Sequence, residues 1–219
     1  MTPPTPLLSR ALALVAPPFC WGCGDDAGRG EPLCSRCRAE LTWLGDEPLV
    51  VGVALEAWAP LAYEGPARAL VRALKFRGAA GLADPLAAQI VAGAPADLLG
   101  AGRELVPVPL HPARARRRGF NQAERLAAAI GRRTGMPVTD CLGRRGPRAA
   151  RQVGRGRAER LAGIVGSIEV RPGAAVPSGA VLVDDVVTTG ATLAACAAEL
   201  RGAGSCAVAA VAYARTPAR

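Results

Sequence analysis

Lysine is nearly absent from this 219-residue chain: Lys75 is the only one, so the other 26 of its 27 basic residues are arginines. No glycine-rich loop runs into the lysine of a nucleoside-triphosphate P-loop, and no Gly-x-Gly-x-x-Gly dinucleotide fingerprint occurs. Aromatic residues are scarce too, with three Trp, two Tyr and three Phe. Only Phe120 of these falls where positive charge concentrates, which argues against a base-stacking platform for nucleic acid. Long apolar runs are missing. Ala11 to Ala16 stops at Pro17-Pro18, too short to cross a bilayer, and it lacks the charged leader and small-residue cleavage site of a signal peptide. No internal repeat with a period of about 20 to 50 residues is present. A cytoplasmic protein without membrane insertion is expected, its seven cysteines held in a reducing compartment.

What remains is half hydrophobic and 21% charged, enough to bury a core, and long enough for one ordinary domain plus a small module. The net charge of +9 is unevenly placed. Residues 103–160 hold 15 arginines against Glu104, Glu124, Asp140 and Glu159, a local +11, while the rest of the chain has 12 basic and 14 acidic residues, or −2. All the excess lies in one segment, which points to a localised anionic partner.

Cys20, Cys23, Cys34 and Cys37 form a C-x2-C-x10-C-x2-C array. Each pair spans a tight turn that aims two sulfurs at one point, and two such turns supply the four thiolates of a closed, structural zinc site. Two disulfides or a redox pair are the competing reading; a redox pair would need a thioredoxin-like strand–helix context, and Gly, Asp and Pro surround these cysteines instead. Cys196 falls on the apolar stripe Leu193, Cys196, Ala197, Leu200 of a helix, and Cys206 opens an apolar run that reads as a core strand. Cys141 receives no role.

The segment from Val181 to Thr192 carries the most chemistry. Three apolar β-formers lead into Asp184-Asp185, then Thr188-Thr189-Gly190-Ala191-Thr192, then the helix of Cys196. A loop at the carboxyl end of a parallel strand is where such sheets bind ligands. Its backbone N–H groups, hydroxyls and following helix dipole form a phosphate cradle, and Gly190 permits close backbone approach. Paired carboxylates beside that cradle suit a ligand with a phosphate at one end and vicinal hydroxyls nearby, a ribose 5-phosphate. Upstream, Glu104 to His111 reads as a strand ending in a proline-set loop, followed by Arg114, Arg116, Arg117 and Arg118. A helix starts at Asn121, with Glu124 completing a capping box, and ends near Gly135. Residues 142–160, with seven arginines and little apolar content, read as a loop or arm.

The segment from Val181 to Thr192 resembles the 5-phosphoribosyl-1-pyrophosphate (PRPP) signature of type I phosphoribosyltransferases. With the cysteine array, Leu74-Lys75-Phe76-Arg77-Gly78, and the run from Val106-Pro-Val-Pro109 through Arg118-Gly-Phe-Asn-Gln122, nearly the whole chain resembles the ComF/GntX family, an amidophosphoribosyltransferase-like group linked to competence for DNA uptake. The resemblance implies an α/β type I phosphoribosyltransferase fold over 51–219, a central parallel sheet flanked by helices, preceded by an N-terminal helix and zinc ribbon in 1–50. It implies that Thr188, Thr189, Gly190, Ala191 and Thr192 hold the 5-phosphate, and that Asp184 and Asp185 are the catalytic carboxylates on the ribose hydroxyls. Pro109, His111 and Arg118 would belong to the pyrophosphate side, and Gln152 to a hood loop over about 142–168 that closes over substrate. The family pattern has Thr, Asn and Phe where this chain has Ala149, Gly163 and Ile168. Implied cofactors are Zn2+ and, with PRPP, Mg2+; the activity implied is transfer or hydrolysis at the ribose anomeric carbon. The acceptor is not readable. An amidotransferase would carry an N-terminal catalytic cysteine, whereas this chain begins Met1-Thr2-Pro3, so ammonia taken from glutamine in cis is not expected. A contrasting expectation is a non-catalytic accessory that binds single-stranded DNA and works with a competence helicase. His111 suits either solvent or ligand, and Lys75 either caps a helix or contacts an anion.

Overall fold

The computed structural model describes residues 19–28, 30–76, 79–144 and 167–217. Expectations for the helix before residue 19, for Arg77 and Gly78, and for Ala149, Gln152 and Gly163 lie outside them. After α1 (Ser35–Ala39) the chain forms β1 (Leu49–Val51), β2 (Leu55–Trp58), β3 (Leu61–Ala62), α2 (Gly65–Phe76), a 3-10 turn, and α3 (Ala83–Gly93). Next come β4 (Glu104–Pro107), α4 (Pro112–Arg118), α5 (Gln122–Thr134), β5 (Leu142–Arg144), β6 (Ile168–Val170), β7 (Gly179–Val187), α6 (Ala191–Gly202) and β8 (Ala207–Arg215).

The main sheet runs β1-β2-β8-β7-β4, with β3 also on β8. Every pairing is parallel except the β1–β2 hairpin. Parallel strands need a covering layer on each face, and the burial of β7 reflects it: Ala180 through Val183 are all inaccessible. Val181 and Val183 pack with α2, α3 and α5, whereas Ala180 and Leu182 pack with α6 and the small β5–β6 ladder. The result is helix–sheet–helix layering, as the resemblance implied.

Local sequence explains the helices that flank the site. In α2, Ala67, Leu70, Val71 and Leu74 recur at helical spacing and are all buried. In α5 the buried stripe is Ala123, Leu126, Ala127 and Ile130, and Gly135 ends the helix at φ 76°. Asn121 caps α5 by accepting from the Ala123 N–H at 3.1 Å. Its amide donates to Val108 O and to Glu124 Oε1. The expected capping box is therefore altered: Glu124 braces the cap side chain, which in turn ties α5 to the loop after β4. The cysteine-bearing segment shares the α2–α3 core, since Cys20, Leu33, Cys37 and Leu41 join that cluster.

Candidate functional site

The loops leaving the carboxyl ends of β4 and β7 are neighbours, because Pro107 pairs with Val183 and the Val108 N–H donates to Val183 O at 3.0 Å. Between them opens a cleft of about 220 Å³. Asp184 and Asp185 lie on its floor, in the last part of β7. Successive strand residues point to opposite faces. Asp185 follows Val183 toward α2 and meets Lys75, whose Nζ lies 2.7 Å from Oδ2. This contact is an ion pair without an aligned hydrogen bond. Asp184 lies toward the α6 side and accepts the Asp185 backbone N–H at 2.8 Å. Burial, and then the charge of Asp185, push the Asp184 carboxyl up to about 8, against the pull of Lys75.

The wall following β7 is the turn into α6. Gly190 takes φ 71° at the helix N-cap, a conformation that favours glycine. A Cβ there would stand 1.8 Å from Val51 Cγ1, so the turn is moulded onto β1. Thr188 and Thr192 line the cleft. Thr189, Gly190 and Ala191 shape the turn without lining it, with Thr189 Oγ1 accepting the Ala191 N–H at 3.4 Å.

The opposite wall is basic. Pro109, His111, Arg114, Arg118 and Arg144 line the cleft on this side. His111 is exposed and caps α4, its Nδ1 accepting the Ala113 N–H at 3.2 Å. Arg118 donates to Gln122 Oε1 at 2.9 Å. Arg144 donates from Nε to Pro109 O at 2.9 Å and from Nη1 to Ser167 Oγ at 3.2 Å, tying the β4–α4 loop to the β5–β6 ladder. Desolvation lowers the pKa of Arg118 and Arg144, but an arginine stays charged. Four cations, Lys75, Arg114, Arg118 and Arg144, thus surround two carboxylates.

The second constellation is the cysteine array. The four Sγ atoms lie within 4.8 Å of one another, and they are the only metal-binding group of three or more His, Cys, Asp or Glu among the described residues. Cys23 Sγ and Cys34 Sγ stand 3.7 Å apart. A tetrahedron with arms of about 2.3 Å has edges of about 3.8 Å, so the set is able to hold a metal ion. The Gly22 N–H donates to Cys20 Sγ at 3.3 Å, and a Cβ on Gly22 would come within 2.8 Å of Cys37 Sγ.

No family model matches the chain. It is 38% identical over 90 residues to the competence protein ComFC of Streptococcus pneumoniae, covering 41% of this chain and 38% of that protein. It is 27% identical over 184 residues to competence protein F of Haemophilus influenzae, covering 80% of this chain and 75% of that one. The chain is thus similar in sequence to two competence proteins. Its alignment spans little more than a third of the pneumococcal relative's length. Among solved structures, an orotate phosphoribosyltransferase from Aeropyrum pernix aligns with a TM-score of 0.36 and 18% identity, over 80% of this chain and 76% of that one. The fold of the chain rests on its own strand order and layering.

Several expectations change. Lys75 does not simply cap α2 but spends its charge on Asp185. The arginines after His111, to which the sequence assigned no element, form α4. The start of the expected 142–168 arm is a strand, paired with β6 from Leu142 to Arg144, and Ile168 is a buried member of that ladder. Cys206 is exposed and lies outside β8, while Cys141 and Cys196 are buried. Arg144 and Gln122 were missed as cleft residues; a basic residue on an apolar edge such as Leu142-Gly143 was the available signal for the first. Among the described residues, no helix is long and apolar enough to cross a membrane.

Proposed function

We propose that this ComF-like chain binds PRPP and acts as a phosphoribosyltransferase-like protein in competence, transferring or hydrolysing at the ribose anomeric carbon. The observation that carries the reading is one cleft in which two carboxylates lie between a helix-start threonine turn and an arginine wall. Thr188, Thr189, Gly190, Ala191 and Thr192 receive the 5-phosphate, where backbone N–H groups and the α6 dipole favour an anion. Asp184 and Asp185 accept hydrogen bonds from the ribose 2- and 3-hydroxyls. Pro109, His111, Arg118 and Arg144 face the pyrophosphate. Displacement at the anomeric carbon builds positive charge on the sugar, which the carboxylates stabilise, while the arginines stabilise the departing diphosphate. Proton release from Asp184 accompanies ligand binding, since the hydroxyls pair with the ionised form.

Magnesium supplies charge neutralisation to the diphosphate when bound. The donor chemistry fits a hard ion brought by the ligand: Asp184 and Asp185 on the cleft floor would offer it carboxylate oxygens beside those of the diphosphate. Zinc is the metal that four thiolates in a tetrahedron select, and Cys20, Cys23, Cys34 and Cys37 hold it as a structural site. The cysteine module up to about residue 50 packs on the phosphoribosyltransferase-like domain over 51–219, in a cytoplasmic protein. Calorimetric titration with Mg-PRPP tests the assignment: Asp184→Asn and Asp185→Asn should each sharply weaken binding. Wild-type affinity in both variants refutes it.

The +11 of residues 103–160 and the competence names of the relatives favour a second reading, in which single-stranded DNA, handled with a competence helicase, tracks the basic face. Titrating single-stranded DNA at two salt concentrations, with and without PRPP, separates the two. Competition means a shared basic site; the absence of DNA binding at low salt removes the second reading.

A further inference from the structure

The one lysine of the chain stands at the cleft floor. In a protein that uses arginine at 26 of 27 basic positions, an exception inside the candidate site calls for a physical reason. Lys75 lies in the last turn of α2, next to the fully buried Leu74. Its side chain is 21% exposed, and that of Asp185 only 4%. Among the described residues it is the only ion-pair partner of Asp185, with Arg118 adding a longer-range attraction.

Enclosing a carboxylate this far from water is costly unless a cation stays beside it. Asp185 Oδ2 takes no aligned hydrogen bond, so the ammonium is what compensates it. The choice of lysine over arginine follows from shape. An ammonium is a compact point charge with three rotatable donors, whereas a guanidinium is a wide planar fork that wants two acceptors in its plane. An arginine fork would need both Asp185 oxygens in its plane, whereas the compact Lys75 ammonium reaches Oδ2 at 2.7 Å from the end of α2.

We propose that Lys75 is the positioning residue for Asp185: it holds that carboxylate in place on the cleft floor for a ribose hydroxyl, and arginine does not replace it. The inference rests on the PRPP reading above. Lys75 acts through Asp185 and makes no contact of its own with the phosphates.

The test is a calorimetric titration of Mg-PRPP into wild type, Lys75→Met, Lys75→Arg, Asp185→Asn and the double variant Lys75→Met/Asp185→Asn. Lys75→Met should weaken binding by about tenfold or more, Lys75→Arg by a similar factor, and the double variant should bind no worse than Asp185→Asn alone. Binding by Lys75→Met or Lys75→Arg within about twofold of wild type overturns the assignment. So does a further loss in the double variant, which would mean a direct phosphate contact. A wild type that does not bind removes the PRPP reading and this inference with it, whereas a binding wild type with unaffected variants removes this inference alone. A second measurement needs neither a folded Lys75→Met nor measurable binding by Asp185→Asn. Reductive 13C-methylation keeps the charge of the amine and gives a single lysine resonance. That resonance should differ between wild type and Asp185→Asn and should move in wild type when Mg-PRPP is added. An identical resonance in both proteins overturns the pairing.

Discussion

Gly190→Ala probes how the threonine turn is held. The position carries two separate demands. Its φ of 71° costs a residue with a Cβ about 1–2 kcal/mol. The added Cβ would also meet Val51 Cγ1 at 1.8 Å, Cβ at 2.9 Å and Cγ2 at 3.0 Å, and Val51 is itself buried in the β1 edge of the sheet. Overpacking of that kind costs about 1–3 kcal/mol. The sum, about 2–5 kcal/mol, corresponds to a fall in Tm of about 5–20 °C for a chain of this length, read by thermal circular dichroism. PRPP binding should weaken at temperatures where the variant is still folded, because the turn has to shift away from β1. Val51→Ala removes the two γ carbons and leaves the 2.9 Å contact, so it should recover part of the loss when combined with Gly190→Ala. A Tm within about 1 °C of wild type, or strict additivity of the two changes, refutes the argument that β1 moulds the turn.

Two other outcomes follow from the same geometry. Purified protein should carry one zinc per chain, and Cys37→Ser or strong chelation should lower Tm and loosen α2 and α3 as well as the cysteine segment, because Cys20 and Cys37 share that core; metal loss with an unchanged Tm contradicts this. Asp184 is protonated in the free folded protein up to about pH 8, whereas the unfolded chain releases that proton near the ordinary carboxylate value of about 4. Its contribution to stability is therefore full below about pH 4 and is lost as pH rises through about 8, so the Tm of wild type should fall more between about pH 6 and pH 9 than that of Asp184→Asn. An equal or steeper fall in the variant contradicts the shift.

Features written in short stretches of chain were legible beforehand. The cysteine spacing, the run from strand through Asp184-Asp185 into a threonine turn and helix, and the α5 stripe ending at Gly135 each depend on neighbours a few residues apart. What was not legible depends on long-range packing. Lys75 and Asp185 meet because α2 covers the face of β7 that Asp185 points to, which no local pattern reveals. Arg144 reaches Pro109 only once the β5–β6 ladder has folded beside the β4–α4 loop. The apolar run from Cys206 predicted the strand but not its edge: hydropathy does not show that Cys206 still lies on the exposed turn before Ala207 enters β8. The helical state of α4 was hidden by its four arginines, whose helix is set instead by Pro112 at its start, the His111 cap and Gly119 at φ 76°.

The central claim is that one cleft takes both ends of a phosphoribosyl diphosphate at once. A 31P NMR titration of the protein with Mg-PRPP tests it directly, because the 5-phosphate and the diphosphate give separate resonances. Shifts or broadening of both sets, saturating together at one ligand per chain, are predicted. Resonances that stay unchanged, or only one set that responds, would contradict the account.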